Sequence, residues 1–211
     1  MPYTFKQILE KITSEKAPGP SPSFSVFHLL HAIELISEKT IGRSKLAENL
    51  EVGEGAVRTI INRLRDADLV VTSKAGCNLT KEGVRLLREY KSIFKKTEIG
   101  KNELTLADYN FAILAKNCGW KVKSGVEQRD AAVMAGAKGA TTIMFKEGRL
   151  KIPSVSDDVA KDFPNAANQI IRLLKPEEND VIIIGSAGNL GKAEYGTLAA
   201  AWTVLNNCEG M

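Results

Sequence analysis

Cysteine, histidine and long apolar runs are all scarce in this sequence, and each scarcity removes a class of protein. No apolar stretch approaches the roughly 20 residues that a bilayer-spanning helix needs, which argues against an integral membrane protein. The three cysteines, Cys77, Cys118 and Cys208, are far apart, odd in number and form no CxxC pair, so neither a disulfide framework nor a zinc ribbon is expected. The segment Met1-Pro2-Tyr3-Thr4-Phe5-Lys6 lacks the basic-then-apolar layout of a secretion signal. Together these features predict a cytoplasmic protein with reduced thiols. The only two histidines, His28 and His31, lie in the first half. They are three residues apart, but no Cys, Asp or Glu cluster joins them, so packed or hydrogen-bonded rings are expected and no metal. The second half has no histidine, hence no histidine general base, and Ser186 lacks the G-x-S-x-G setting of a hydrolase elbow. No catalytic residue, cofactor or enzymatic activity is expected.

The charge that is present is unevenly placed. The 211 residues carry a formal net charge of +4. Residues 1–97 hold 16 Lys and Arg against 11 Asp and Glu, whereas residues 98–211 hold 13 against 14. All of the basic excess therefore falls in the first half, as expected when one domain of two meets a polyanion. These segments are the expected domains.

In the first half, hydrophobic periodicity predicts helices over Thr4–Ile12, from Phe24 to about Ile36, over Arg43–Asn49 and over Glu54–Ala67. Between the first two, Ala17-Pro18-Gly19-Pro20-Ser21-Pro22-Ser23 cannot be helical and reads as an arm or turn, with Ser23 as the next cap. Leu69–Thr72 and Cys77–Leu79 read as a strand pair, and Thr80 as the cap of a helix reaching Lys95 or Lys96. Three helices and a hairpin in this order make a winged helix-turn-helix. Ala47 is small where two helices must approach, and Gly53 is expected to make the turn. Burying Val57, Ile60 or Ile61, and Leu64 leaves Arg58, Thr59, Asn62, Arg63 and Arg65 outward. Arg pairs bidentately with guanine, Asn does so with adenine, and Thr offers a methyl and a hydroxyl. Arg43, Ser44 and Lys45 open a helix whose amides suit a phosphate, and Lys74 stands at the wing tip. The expected DNA-contact set is Arg43, Ser44, Lys45, Arg58, Thr59, Asn62, Arg63 and Lys74. Taken singly, each charge also fits an ordinary solvated helix face.

Residues 24–80 resemble the winged-helix domains of prokaryotic regulators. The resemblance runs through Arg43-Ser44-Lys45-Leu46-Ala47, Val57-Arg58-Thr59-Ile60-Ile61-Asn62-Arg63-Leu64 and Leu69-Val70-Val71. With the remainder of the chain included, the sequence resembles an archaeal family of winged-helix proteins with a C-terminal domain of unknown function. That resemblance covers nearly the full length and implies gene regulation through double-stranded DNA, but brings no known ligand. The long helix from Lys81, with Val84, Leu87, Tyr90, Ile93 and Phe94, suits either a homodimer seam matching a palindromic operator or the docking of the second domain.

The second half alternates strand and helix patterns. Tyr109–Ala115 reads as a buried strand, with a helix as the alternative. Ser124-Gly125-Val126-Glu127 has capping-box form before a helix through Arg129 to Ala135 that Gly136 ends. Ala140–Phe145 and Arg149–Pro153 form a hairpin about Glu147-Gly148; a helix covers Asn165–Leu174, and a strand Asp180–Ile184 precedes a last helix ending near Leu205. The fold expected for the chain is α+β: a winged helix-turn-helix followed by a mixed α/β domain.

The run Gly185-Ser186-Ala187-Gly188-Asn189-Leu190-Gly191-Lys192 follows the last strand. Glycines between a buried strand and a helix let amides converge on an anion, and they equally permit a tightly packed corner. The phosphate-loop signature fails at Ser186 and Ala193, and the spacing departs from the dinucleotide fingerprint. The candidate ligand set is Arg129, Asp130, Gly185, Ser186, Gly188, Asn189, Gly191 and Lys192, for a small and anionic effector. A second small-residue loop, Ala135–Ala140, is expected across the same cleft. Two other functions stay open on sequence: an enzyme acting on a phosphorylated small molecule with an accessory winged helix, and an interaction module of a transcription assembly.

Overall fold

The computed structural model describes residues 4–14 and 23–206. Most of the proline-rich segment 17–23, together with Cys208, lies outside them. The chain divides into two compact units between Lys91 and Ser92.

The first unit is built from α1 (Thr4–Ser14), α2 (Val26–Glu38), α3 (Arg43–Leu50), α4 (Glu54–Asp66), β1 (Val70–Ser73), β2 (Gly76–Leu79) and α5 (Lys81–Ile93). Helix α2 buries Leu29, Leu30, Ala32, Ile33 and Ile36 and forms the centre. Its cap is Ser25 rather than Ser23: the Ser25 side chain and the ring of His28 cap each other's backbone amides in a reciprocal box. His28 is thus a capping group, as its hydrogen-bonded reading required.

The turn between α3 and α4 departs from expectation in a local way. Gly53 has an ordinary extended φ of −65°, and the left-handed residue is Glu51, with φ 53°. The Glu51 amide donates to the carbonyls of Ala47 and Glu48, and the Val52 amide donates to Ala47, so returning hydrogen bonds offset the cost of a side chain there. The hairpin is a two-residue turn, Lys74-Ala75, with Ser73 opposite Gly76. Gly76, at φ 134°, lies so close to the Ile41 carbonyl that a Cβ would sit 2.7 Å from it. Thr80 caps α5 by accepting from the Gly83 amide at 3.0 Å. On the apolar face of α5, Leu86, Leu87 and Tyr90 are buried while Val84 is exposed, and the Tyr90 ring meets Phe5 edge-on at 5.8 Å.

Helix α5 ends at Ile93, short of the expected Lys95 or Lys96, because the following residues form β3 (Phe94–Glu98). The second unit continues with β4 (Tyr109–Ala115), a 3-10 turn (Gly119–Lys121), α6 (Val126–Met134), β5 (Gly139–Lys146), β6 (Arg149–Lys151), α7 (Val159–Asp162), α8 (Pro164–Leu174), β7 (Val181–Ala187) and α9 (Leu190–Asn206). The five strands form one sheet in the order β3-β4-β7-β5-β6, every neighbour antiparallel. Strand β7 occupies the centre and is buried along its whole length. Alternation places Ala112, Leu114, Ile182 and Ile184 against Ala166, Ala167, Ile170 and Leu174 of α8. Gly185 and Phe111, of the opposite parity, meet Thr197 of α9, which packs with α6 over the other face.

Strand β3 was hidden by its lysines. Lys95 Nζ reaches the Leu174 carbonyl at the end of α8, and Lys96 Nζ pairs with Glu194 of α9 at 2.5 Å. Consecutive lysines thus extend to opposite faces of an edge strand, while Phe94 is buried. Helix α6 also starts differently: its cap is Gly125, at φ 78°, with no side-chain cap, so Ser124-x-x-Glu127 is not a capping box.

Candidate DNA-binding site

Helix α4 carries its aliphatics on one side, with Val57, Ile60, Ile61 and Leu64 all buried. This fixes Arg58, Asn62 and Arg65 outward, at i, i+4 and i+7 on a single stripe. The stripe forms one wall of an open groove of about 520 Å³. The start of α3 supplies Gly42, Arg43 and Ser44, and the wing supplies Thr72 to Cys77, including Lys74. Four cations, Arg43, Arg58, Arg65 and Lys74, therefore converge with the Asn62 amide. All five of these residues are exposed. Gly42, as the cap of α3, has no side chain to occupy the first amides of that helix. The Ser44 hydroxyl donates to Glu54 Oε1 at 3.2 Å. Cys77 forms a buried part of the floor, and burial holds its thiol above its ordinary range against the opposing pull of Arg43.

Five of the eight expected DNA-contact residues thus meet in the groove: Arg43, Ser44, Arg58, Asn62 and Lys74. Lys45 projects from the same helix but pairs with Glu48 at 2.6 Å and does not line the groove. Thr59 is half-buried and donates its hydroxyl to Gly55 within its own helix at 3.1 Å. Arg63 needs correction. Its Nη1 donates to the carbonyls of Ile12 and Thr13, both at 2.8 Å, and its guanidinium stacks over Phe24 at 5.3 Å. A cation is well placed at the end of α1, where carbonyls lack helical partners, so Arg63 fastens that helix instead of facing duplex. Arg65 takes the outward role, and its seven-residue spacing from Arg58 was the signal for it.

The candidate ligand residues of the second unit are not gathered into a comparable site. Gly185 and Ser186 lie inside β7. A Cβ on Gly185 would fall 2.1 Å from Thr197 Oγ1, so this glycine admits α9 to the sheet. Ser186 is 1% exposed; its hydroxyl donates to Asn110 Oδ1 at 2.6 Å and accepts from the Leu106 amide at 3.0 Å. Both are structural, because close packing and internal hydrogen bonds already occupy them. Asn189 Oδ1 accepts from the Lys192 amide at 2.8 Å, which caps α9. Gly188, Gly191 and Lys192 are exposed. Arg129 and Asp130 pair with each other at 2.9 Å on the outer side of α6. The loop Ala135–Ala140 packs against α9 and β7, with Ala137 in close contact with Gly196 and the Lys138 amide donating to Ser186.

Among the described residues there is no group of three or more His, Cys, Asp or Glu able to hold a metal ion. No helix among them is long and apolar enough to cross a membrane.

Residues 25–94 match the model of the CggR N-terminal DNA binding domain, and residues 106–204 match the domain of unknown function DUF4443. The hypothetical protein PH0730 from Pyrococcus horikoshii OT3 is 27% identical, with a TM-score of 0.70 over 89% of this chain and 96% of that one. Wild-type ZitR from Lactococcus lactis aligns over 37% of this chain and 56% of its own at 20% identity, with a TM-score of 0.30. No curated protein matches the chain. Together, the two matched models support a family of DNA-binding regulators with a C-terminal domain of unknown function.

Proposed function

We propose that this chain is a sequence-specific transcriptional regulator that binds double-stranded DNA as a homodimer and answers to a small anionic metabolite through its C-terminal domain. One observation carries the proposal: Arg58, Asn62 and Arg65 share the outer stripe of a helix whose other side is buried, and Arg43 and Lys74 flank the groove before them. Arg58 and Asn62 have the chemistry to read guanine and adenine edges in the major groove, while Arg43, Arg65 and Lys74 neutralise phosphates. The family is archaeal in this proposal, a view the Pyrococcus relative favours. No catalytic role is proposed, since the second half contains no histidine.

Selection of genomic fragments on the immobilised protein tests this reading. A consensus sequence should emerge, and its affinity should fall steeply with salt. Recovery of random fragments would remove sequence specificity. The effector clause is supported by the exposed Gly188, Gly191 and Lys192 at the start of α9, since a helix N-terminus suits an anion. Thermal shift against inorganic phosphate and a panel of carboxylates tests it, and a flat response across the panel withdraws that clause alone.

A further inference from the structure

The outer side of α6 carries an apolar stripe. Its inner side is anchored by Gln128 and Ala132, both buried. On the outer side, Val126 is 46% exposed, Val133 48% and Met134 89%. Exposed valines at both ends of a nine-residue helix are unusual, because nothing in the capping or propensity of the helix calls for them. Between them lie Arg129 and Asp130, both exposed. Positions 126, 129, 130 and 133 follow the i, i+3, i+4, i+7 spacing of a helix face that packs against another helix.

The order of these residues makes the face complementary to itself. In an antiparallel pair of identical helices related by a two-fold axis, the residues facing each other lie at equal distances on either side of the axis. With the axis between positions 129 and 130, Val126 opposes Val133 of the partner subunit, and Arg129 opposes Asp130 of the partner subunit. Apolar residues meet apolar residues, and opposite charges meet.

We propose that α6 is the homodimer face of the C-terminal domain and that its occupant is a second copy of this chain. The proposal deepens the homodimer named above and assigns it a surface. It also takes that role in place of α5, whose Leu86, Leu87 and Tyr90 are buried. A nine-residue helix is about 13 Å long, which by itself covers less than the ~1,600 Å² of a standard interface, so association is concentration-dependent.

Sedimentation of the full chain over a concentration series tests the assignment. The wild-type chain should pass from monomer to dimer in the micromolar range. Val133→Glu and, separately, Arg129→Asp should each weaken the dimer by at least about tenfold, with unchanged circular-dichroism melting. The exchange Arg129→Asp with Asp130→Arg restores opposite charges across the axis and should return the dimer to within about threefold of wild type. A wild-type chain that stays monomeric throughout overturns the face and the homodimer together, while leaving the DNA groove in place. A dimer indifferent to Val133→Glu overturns the face alone. A charge-exchange variant as weak as Arg129→Asp overturns the register.

Discussion

The two units use polar side chains in opposite ways. In the first, the cations on the outer stripe of α4 project into an open groove with the wing, and the helix behind them is held by buried aliphatics and by Arg63. In the second, two polar groups of the expected binding loop are bonded within the protein, Ser186 to Asn110 and Leu106 and Asn189 to its own helix, and Thr197 behind the loop bonds the Phe111 and Ala193 carbonyls. A site for a polyanion has to keep its cations exposed, as Arg65 is even beside Asp66 at 3.5 Å, whereas a strand-helix corner is stable when every donor is satisfied. The contrast therefore sets exposed cations around a groove in the first unit against packing at Gly185 and Ser186 in the second.

The sharpest way to break this contrast is to delete the stripe. Arg58→Ala combined with Asn62→Ala should lower affinity for a selected DNA fragment by about 30-fold or more, taking about 1–3 kcal/mol for each bidentate base contact. Folding should be untouched, because both side chains are exposed. Fluorescence anisotropy at two salt concentrations measures this, with Lys192→Ala as the control that should bind like wild type. Undiminished binding by the double variant would remove the major-groove model.

Arg63 tests the contrast from inside the same helix. Arg63→Ala should cost about 2–3 kcal/mol of stability, because two charge-assisted bonds to the end of α1 disappear. Where the variant is folded, its DNA affinity should change far less than that of the stripe variant. Urea denaturation and anisotropy on the same sample separate these effects, and loss of affinity without loss of stability would return Arg63 to the DNA face.

How much of this was legible in the sequence follows the same division. The strand Tyr109–Ala115, the hairpin about Glu147-Gly148 and the burial of Val57, Ile60, Ile61 and Leu64 all follow from local apolar patterning, which tertiary contacts reinforce. Arg63 misled because i, i+3/i+4 spacing specifies a helix face but not what packs beside it; the end of α1 lies 50 residues earlier in the chain. Strand β3 misled because Lys95 and Lys96 are polar by composition, although their stems cover apolar surface on both sides of an edge. Gly185 was ambiguous from the outset. Whether a glycine admits a ligand or a neighbouring helix depends on a contact with Thr197 that no local pattern encodes.

That ambiguity can be tested by a smaller effect. Gly185→Ala places a methyl against Thr197 Oγ1 and should destabilise the protein by about 2 kcal/mol through overpacking. Adding Thr197→Ala removes the nearest atom, so the double variant should be less unstable than the sum of the two single variants. Strict additivity in urea midpoints would mean that the two positions do not pack together, and the loop would again be open to a ligand.

The smallest expected effect sets the units apart by pH. His28 is held below its ordinary value of 6.5, first by burial and then by the nearby His31, and its neutral ring accepts the Ser25 amide at the start of α2. A depressed folded-state pKa means that this contribution is complete above 6.5 and is lost as pH falls through the lower folded value. The loss is bounded by the worth of a cap, about 1 kcal/mol, and solvent reduces it further because the ring is only half-buried. His28→Gln keeps an acceptor at the same capping position and does not titrate, so it should flatten the slope while preserving stability at neutral pH. The second half contains no histidine, so hydrogen exchange in β7 should show no histidine-linked weakening in that window while exchange in α2 does. Equal weakening of both would mean that the units do not open separately, and a slope that survives His28→Gln would place the titrating group elsewhere.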